Sequence, residues 1–158
     1  MINDNIIGFA GRCYSGKSEL AKLCTDYGYE IKSFGAPLKQ LIADLIDSTI
    51  DDVNKLKKAD MNVIFNKDKI EYISKRTNIP LEIVKTKIDN KVFKNTREML
   101  QYIGTDLIRE YNINWHVNEI KKSLEKNKKY VFDDVRFENE KNMIDELNGT
   151  CWFIRSRL

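Results

Sequence analysis

The chain of 158 residues is 42% apolar and 32% charged, with 7 Gly and 2 Pro, which fits one compact domain with a single core and excludes wholesale disorder or a collagen-like repeat. Lys and Arg number 27 against 24 Asp and Glu, a net charge of +3, and so mild a balance argues against nucleic acid as the main partner while leaving an anionic small molecule open. Apolar runs such as Ile6 to Ala10 are too short to cross a bilayer and Met1-Ile2-Asn3-Asp4-Asn5 lacks a basic signal-peptide region, so the expectation is a cytoplasmic protein without a membrane partner, in the host cytoplasm if the source is viral.

In chain order, Asn5 to Ala10 is a β-branched and aromatic run interrupted by Gly8, the pattern of a strand buried on both faces. From Lys17, Leu20, Ala21, Leu23, Cys24 and Tyr27 recur at helical spacing up to a stop at Gly28. Tyr29 to Phe34 reads as a second strand. Pro37 then opens a helix with Leu38, Leu41, Ile42, Leu45 and Ile46 on one face. Residues 48–94 are polar and lysine-rich, with helices expected around Asp68 to Arg76 and Pro80 to Asn90 joined by Thr77-Asn78-Ile79. The pair has the outline of a helix-turn-helix reader, but lysines on all faces of short helices fit a solvated surface better.

Asn95 caps a further helix, with Glu98 three residues on and Met99, Leu100, Ile103, Leu107 and Ile108 as its buried stripe. Gly104 interrupts that stripe and marks either a helix break or a close approach to the backbone. A helix over Asn114 to Lys126 follows, then a strand led by Tyr130-Val131-Phe132 and ending in Asp133-Asp134, a helix over Glu138 to Leu147 stopped near Gly149, and a strand over Thr150 to Ile154. Strands alternating with helices imply a three-layer α/β fold with a short parallel sheet. The whole chain is read as one domain, 1–158, with 48–94 a helical insertion.

Cys13, Cys24 and Cys151 form an odd set without a C-x-x-C pair, and His116 is the sole histidine, so a zinc site of ordinary ligand count needs carboxylates and the thiols are expected reduced. Gly11-Arg12-Cys13-Tyr14-Ser15-Gly16-Lys17-Ser18 satisfies G-x-x-x-x-G-K-[ST] between an expected strand and an expected helix. Backbone N–H groups of such a loop curl round a phosphate, and side chains at the glycine positions would block the approach. Gly11, Arg12, Tyr14, Ser15, Gly16, Lys17, Ser18 and Glu19 are therefore the expected nucleotide-binding residues. Lys17 would reach the β- and γ-phosphates of ATP, and the Ser18 hydroxyl would serve Mg²⁺. The bland alternative is a glycine turn with a surface lysine. Asp133 and Asp134, at the end of an apolar strand, are placed to hold a Mg²⁺ water or, more simply, to cap the following loop.

Four stretches recur together in one family: the loop above; Phe34-Gly35-Ala36-Pro37-Leu38-Lys39; Thr96-Arg97-Glu98-Met99-Leu100-Gln101-Tyr102-Ile103-Gly104-Thr105-Asp106 through Arg109 to Trp115; and Phe132-Asp133-Asp134-Val135-Arg136-Phe137-Glu138-Asn139-Glu140. With them the chain resembles the bacteriophage-type deoxynucleoside monophosphate kinases, a branch of the P-loop nucleoside monophosphate kinases. The resemblance implies a P-loop kinase fold in which 48–94 lies on the substrate side. It implies that Arg97, Gly104, Thr105 and Trp115 surround the acceptor nucleotide, that Ala36 and Pro37 line its pocket, and that Asp134, Arg136 and Glu140 face the same substrate. Trp115 could equally be a core anchor, and His116 a packing residue. Members of the family continue past the fourth strand with a lid arginine segment, a fifth strand and a helix; here the sequence stops at Ile154-Arg155-Ser156-Arg157-Leu158, where Arg155 and Arg157 are expected to stand for the lid.

The implied reaction is transfer of the γ-phosphoryl group of ATP·Mg²⁺ to a (deoxy)nucleoside monophosphate, with Lys17, Arg136, Asp134 and Arg155 as the catalytic set. The rivals are another P-loop small-molecule kinase, such as a dephospho-coenzyme A kinase, and a catalytically weak nucleotide-binding module. A homodimer is left open.

Overall fold

A computed structural model describes residues 5–12 and 15–155. The chain divides into two compact units, one built from residues 1–36 and 117–158 and the other from 37–116.

The first unit holds four strands: β1 (Ile6–Gly11), β2 (Tyr29–Lys32), β3 (Lys129–Val135) and β4 (Thr150–Ile154). They pair in the order β2-β3-β1-β4, all parallel. Its helices include α1 (Lys17–Thr25) and α8 (Glu138–Glu146). Side chains alternate along the strands. Ile6, Tyr130 and Phe132 share one face with Met143 and Ile144 of α8, whereas Phe9 and Val131 share the other with Ala21 of α1. Helices thus cover both faces of a parallel sheet, the arrangement that the strand–helix alternation predicts.

The alternation breaks once. Gly8 pairs with Phe132 but Ala10 pairs with Val135, so β3 carries one residue more than β1 across this interval. Val135 accordingly packs on the same face as Tyr130 and Phe132, despite an odd separation from both. The extra residue falls at Asp133-Asp134. A bulge here re-aims side chains at the end of the strand, and periodicity alone gives no warning of it.

The second unit is helical. In chain order it holds α2 (Ala36–Leu45, whose first residue belongs to the sheet unit), α3 (Ile50–Lys55), α4 (Lys67–Thr77), α5 (Leu81–Ile88), α6 (Thr96–Gln101) and a π-helix over Tyr102–Arg109; α7 (Trp115–Ser123) begins here and runs on into the sheet unit. Leu41, Ile42, Val53, Ile73, Val84, Ile88, Met99, Ile103 and Leu107 form its core. Segment 48–94 contributes directly to that core through α3, α4 and α5. The α3 helix was not expected; its signal is Thr49, whose hydroxyl accepts from Asp52 N at 3.2 Å as an N-cap.

Several expectations shift. β2 ends at Lys32, not Phe34, because Phe34 turns into the core and stacks on Phe132 with ring centroids 4.4 Å apart. On α1, Leu23 and Tyr27 are exposed at 59% and 76%, correcting the expected stripe. Its buried face runs through Leu20, Ala21 and Cys24; Leu23 lies outside that arc and Tyr27 lies past the last turn. The single helix expected through Met99 and Ile108 is α-helical only to Gln101 and then widens into the π-helix. Gly104 sits inside the π-helix, where a Cβ would lie 2.6 Å from Leu38 Cδ2 of α2. The glycine is thus a place of close approach, one of its two expected meanings.

Trp115 is a core residue, 3% exposed, and its Nε1 donates to the Arg76 carbonyl at 2.9 Å. His116 is equally buried, edge-on to the Trp115 ring at 5.2 Å, with no partner for Nδ1 among the described residues. Burial, reinforced by the Arg109 charge, lowers its pKa to about 4.

Gly104→Ala should cost about 1–3 kcal/mol in denaturant unfolding, as overpacking does, and less in a Leu38→Ala background where the space is vacated; equal cost in both backgrounds would refute the contact. His116 is neutral when folded and has an ordinary pKa near 6.5 when unfolded. Its contribution is therefore fully present above pH 6.5 and is lost as pH falls toward 4, at about 1.4 kcal/mol per pH unit. His116→Phe should flatten the stability profile across that window, and an unchanged slope would refute the assignment.

Candidate active site

β1 delivers the chain into the glycine loop and α1 carries it away. At the junction Gly16 adopts φ +96°, a left-handed conformation at the N-cap of α1 that a residue with a Cβ enters only under strain. Lys17 opens the helix and its Nζ folds back to donate to the Gly11 carbonyl at 2.5 Å. Ser15 N donates to the Arg12 carbonyl at 3.3 Å. The Ser15 hydroxyl oxygen is buried without a partner among the described residues. A buried hydroxyl is costly unless it is bonded, so a ligand oxygen next to Gly16 and Lys17 fits what this loop leaves unsatisfied. Cys13 and Tyr14, the latter an expected nucleotide-binding residue, lie outside the described residues.

A cleft of about 640 Å³ is lined by Ser15 to Glu19 on one side and by Asp133, Asp134 and Arg136 on the other. The structure thus brings together in one place residues separated by more than a hundred positions in the chain. The opposing side is the bulged end of β3. Ser18, Glu19 and Arg136 are exposed, and Asp133 and Asp134 are half-buried.

Asp134 is heavily engaged. Its Oδ1 accepts from Phe34 N at 3.0 Å, and its Oδ2 accepts from the Ser33 hydroxyl at 2.6 Å and from Gly35 N at 3.1 Å. Gly35 N also donates to Ser33 Oγ at 3.2 Å. The carboxylate therefore ties the end of β3 to the turn that leads into α2, just ahead of Ala36 and Pro37. Glu140, 3% exposed, does the same for the next loop: its Oε1 accepts from Arg136 N at 2.9 Å and Phe137 N at 3.0 Å. Its carboxylate thereby fixes the backbone that carries the Arg136 guanidinium. Ser33 was not among the expected site residues, because nothing in Ser33-Phe34-Gly35 reveals a partner 101 positions away.

Other expected residues fall elsewhere. Arg155 follows β4, whose Ile154 pairs with Gly11, and its guanidinium lies 5.4 Å from the centroid of the exposed Phe153 ring. Arg157 lies outside the described residues. Arg97, Gly104, Thr105 and Trp115 belong to the helical unit, with Arg97 and Thr105 exposed and Gly104 and Trp115 buried. Among the described residues no group of three or more His, Cys, Asp or Glu is arranged as a metal cage, and no helix is long and apolar enough to cross a membrane. A metal at this cleft would rely on Ser18 and Asp133 together with oxygens of a bound phosphate, a donor set of hard oxygens suited to Mg²⁺.

Asp134→Asn replaces an acceptor-only group with one whose NH₂ would face N–H and O–H donors. The expected loss is about 1–3 kcal/mol of stability in urea unfolding, and Ser33→Ala should lose about 1 kcal/mol. An unaltered midpoint for Asp134→Asn would show that the tie to Ser33, Phe34 and Gly35 carries no weight.

No protein-family model matches the chain. It is 30% identical over 162 residues to a protein of Acanthamoeba polyphaga mimivirus named "Putative deoxynucleotide monophosphate kinase", an alignment covering 91% of this chain and 70% of that protein. With identity at this level over so much of both chains, the chain belongs to the deoxynucleotide monophosphate kinase family.

Proposed function

We propose that the chain is a (deoxy)nucleoside monophosphate kinase of the bacteriophage-type P-loop branch, which moves the γ-phosphoryl group of ATP to a phosphate oxygen of a (deoxy)nucleoside monophosphate and releases ADP and the diphosphate. The observation that carries this reading is the cleft in which Lys17 and Ser18 face Asp133, Asp134 and Arg136. Kinship with the mimivirus protein supports it.

Phosphoryl transfer of this type asks for positioning and charge neutralisation more than for covalent chemistry. Lys17 and Arg136 are the cations of the cleft and would stabilise charge on the transferring group. The backbone at Gly16, the Ser15 hydroxyl and the start of α1 would hold the donor's phosphates. Ser18 and Asp133 would hold Mg²⁺, with Asp134 acting chiefly through the loop that it fixes. A metal held there would supply Lewis-acid charge to the phosphates. Glu140 would keep Arg136 on station, and Arg155 is the further cation that the resemblance suggests. On the acceptor side, Ala36, Pro37, Arg97, Gly104 and Thr105 are proposed to shape the pocket, with Trp115 supporting it from the core.

The test is coupled ADP release from ATP against a panel of ribo- and deoxyribonucleoside monophosphates, with dephospho-coenzyme A as the competing acceptor. Turnover is expected with at least one monophosphate. Lys17→Ala should lower kcat by about 10²–10³, the effect of removing one preorganised electrostatic donor, while its melting temperature stays near that of the parent. Wild-type turnover in the folded variant would sink the assignment. ATP binding without turnover would leave a nucleotide-binding module.

A further inference from the structure

The sheet unit holds a second cleft, of about 470 Å³, within the size range of small-molecule sites. It lies at the opposite end of the strands from the glycine loop. Ile6 and Tyr130, which line it, stand at the starts of β1 and β3, the strands whose far ends carry Gly11 and Asp133-Asp134. Leu124 and Leu147 complete its apolar wall and belong with Ile6 and Tyr130 to one packed cluster.

Charge is concentrated at its rim. Residues 121–129 contain five lysines against one glutamate, so a chain of net charge +3 carries its positive excess at this turn. Of the lysines that line the cleft, Lys121 pairs with Glu146 at 3.0 Å and Lys128 with Glu125 at 3.0 Å. The third, Lys126, has no carboxylate partner among the described residues.

Tyr130 adds a second unmet demand from inside. It is 2% exposed, and its N donates to the Asn5 carbonyl at 2.7 Å, which fixes it at the strand start. Its hydroxyl oxygen accepts the Glu125 N–H at 3.0 Å, but its own O–H finds no acceptor among the described residues. A buried donor left without an acceptor is costly. An oxygen supplied by a ligand in the cleft would remove that cost.

We infer that this cleft is a binding site for an amphiphilic organic monoanion, an oxyanion head on an apolar body, with Tyr130 and Lys126 receiving the head and Leu124 and Leu147 the body. One uncompensated cation matches one negative charge, and a hydroxyl and an ammonium give charge-assisted hydrogen bonds to its oxygens. The apolar wall selects against an anion that has no body to bury. The site shares no residue with the glycine-loop cleft, so it stands whether or not the kinase reading does.

The probe is octanoate, titrated at fixed ionic strength into the full isotope-labelled chain and followed by the amide resonances of Glu125 and Tyr130. Acetate and 1-octanol present the head and the body alone. The expected result is saturable one-to-one binding of octanoate, about tenfold or more tighter than either control, with the shifts centred on those two amides. Tyr130→Phe should raise the octanoate Kd about tenfold, as the loss of a hydrogen bond to a charged group does. Lys126→Gln should raise it several-fold and flatten its dependence on salt. Should Tyr130→Phe not fold, Lys126→Gln, a substitution of an exposed side chain, carries the same comparison. Octanoate that binds no better than 1-octanol overturns the anion site, and octanoate that binds no better than acetate overturns the apolar half. Unchanged affinity in the folded variants, shifts that leave Glu125 and Tyr130 unmoved, or no saturable binding at all each overturn the inference outright.

Discussion

The carboxylate of Asp134 accepts three hydrogen bonds from Ser33, Phe34 and Gly35, and much of the sheet unit's working end depends on that single constraint. It joins the end of the central strand β3 to the turn leaving the edge strand β2. The same residue borders the cleft shared with Lys17 and Ser18. Hydrogen bonds to an ionised acceptor are roughly twice as strong as neutral ones. The bulge at Asp133-Asp134 makes the arrangement possible, since a regular strand would turn Val135 away from the face that it shares with Phe132. One extra residue in β3 thus sets both the core contact of Val135 and the loop contact of Asp134.

A second carboxylate repeats the pattern four residues beyond Arg136. Glu140 is buried and holds the backbone N–H groups of Arg136 and Phe137. Burying a carboxylate is expensive unless its oxygens are satisfied, so a glutamate in this position is an investment in the geometry of the loop. The exposed Arg136 is thereby carried on a backbone pinned by a buried carboxylate. Preorganisation of this kind is what electrostatic catalysis requires, because donors already in place need no reorganisation during reaction.

Much of this was legible in the sequence, and the exceptions have physical causes. The four strands, their parallel pairing and the helices on both faces followed from apolar runs alternating with helical stripes, because the central strands β1 and β3 are buried on both sides and each helix on one. The place of the glycine stretch between β1 and α1 was legible because Gly11 and Gly16 separate an apolar run from a helical stripe. Beyond these, sequence was silent wherever a residue's role depends on a distant partner. Sequence offers Asp134 catalytic, substrate-facing, metal-holding and capping roles but not its tie to Ser33, Phe34 and Gly35, because those three donors lie a hundred residues earlier. Trp115 fell to a core role through its bond to the Arg76 carbonyl, which no local pattern encodes. The π-helix escaped because widening by one residue per turn leaves the spacing of Met99, Ile103 and Leu107 intact, and only Gly104 hinted at it.

The strand order β2-β3-β1-β4 also bears on how the chain is made. β1 and β2 do not pair with each other; each needs β3. On a ribosome the first two strands emerge roughly a hundred residues before their shared neighbour, on the order of 5–20 s earlier. The helical unit is continuous in sequence from 37 to 116, so every contact within it becomes available during that interval, while the strand that feeds the glycine loop still has two open edges. Nascent chains therefore pass through a stage in which the sheet unit exists only as unpaired strands, and that is the stage at which a chaperone or a misplaced neighbouring strand would find this protein.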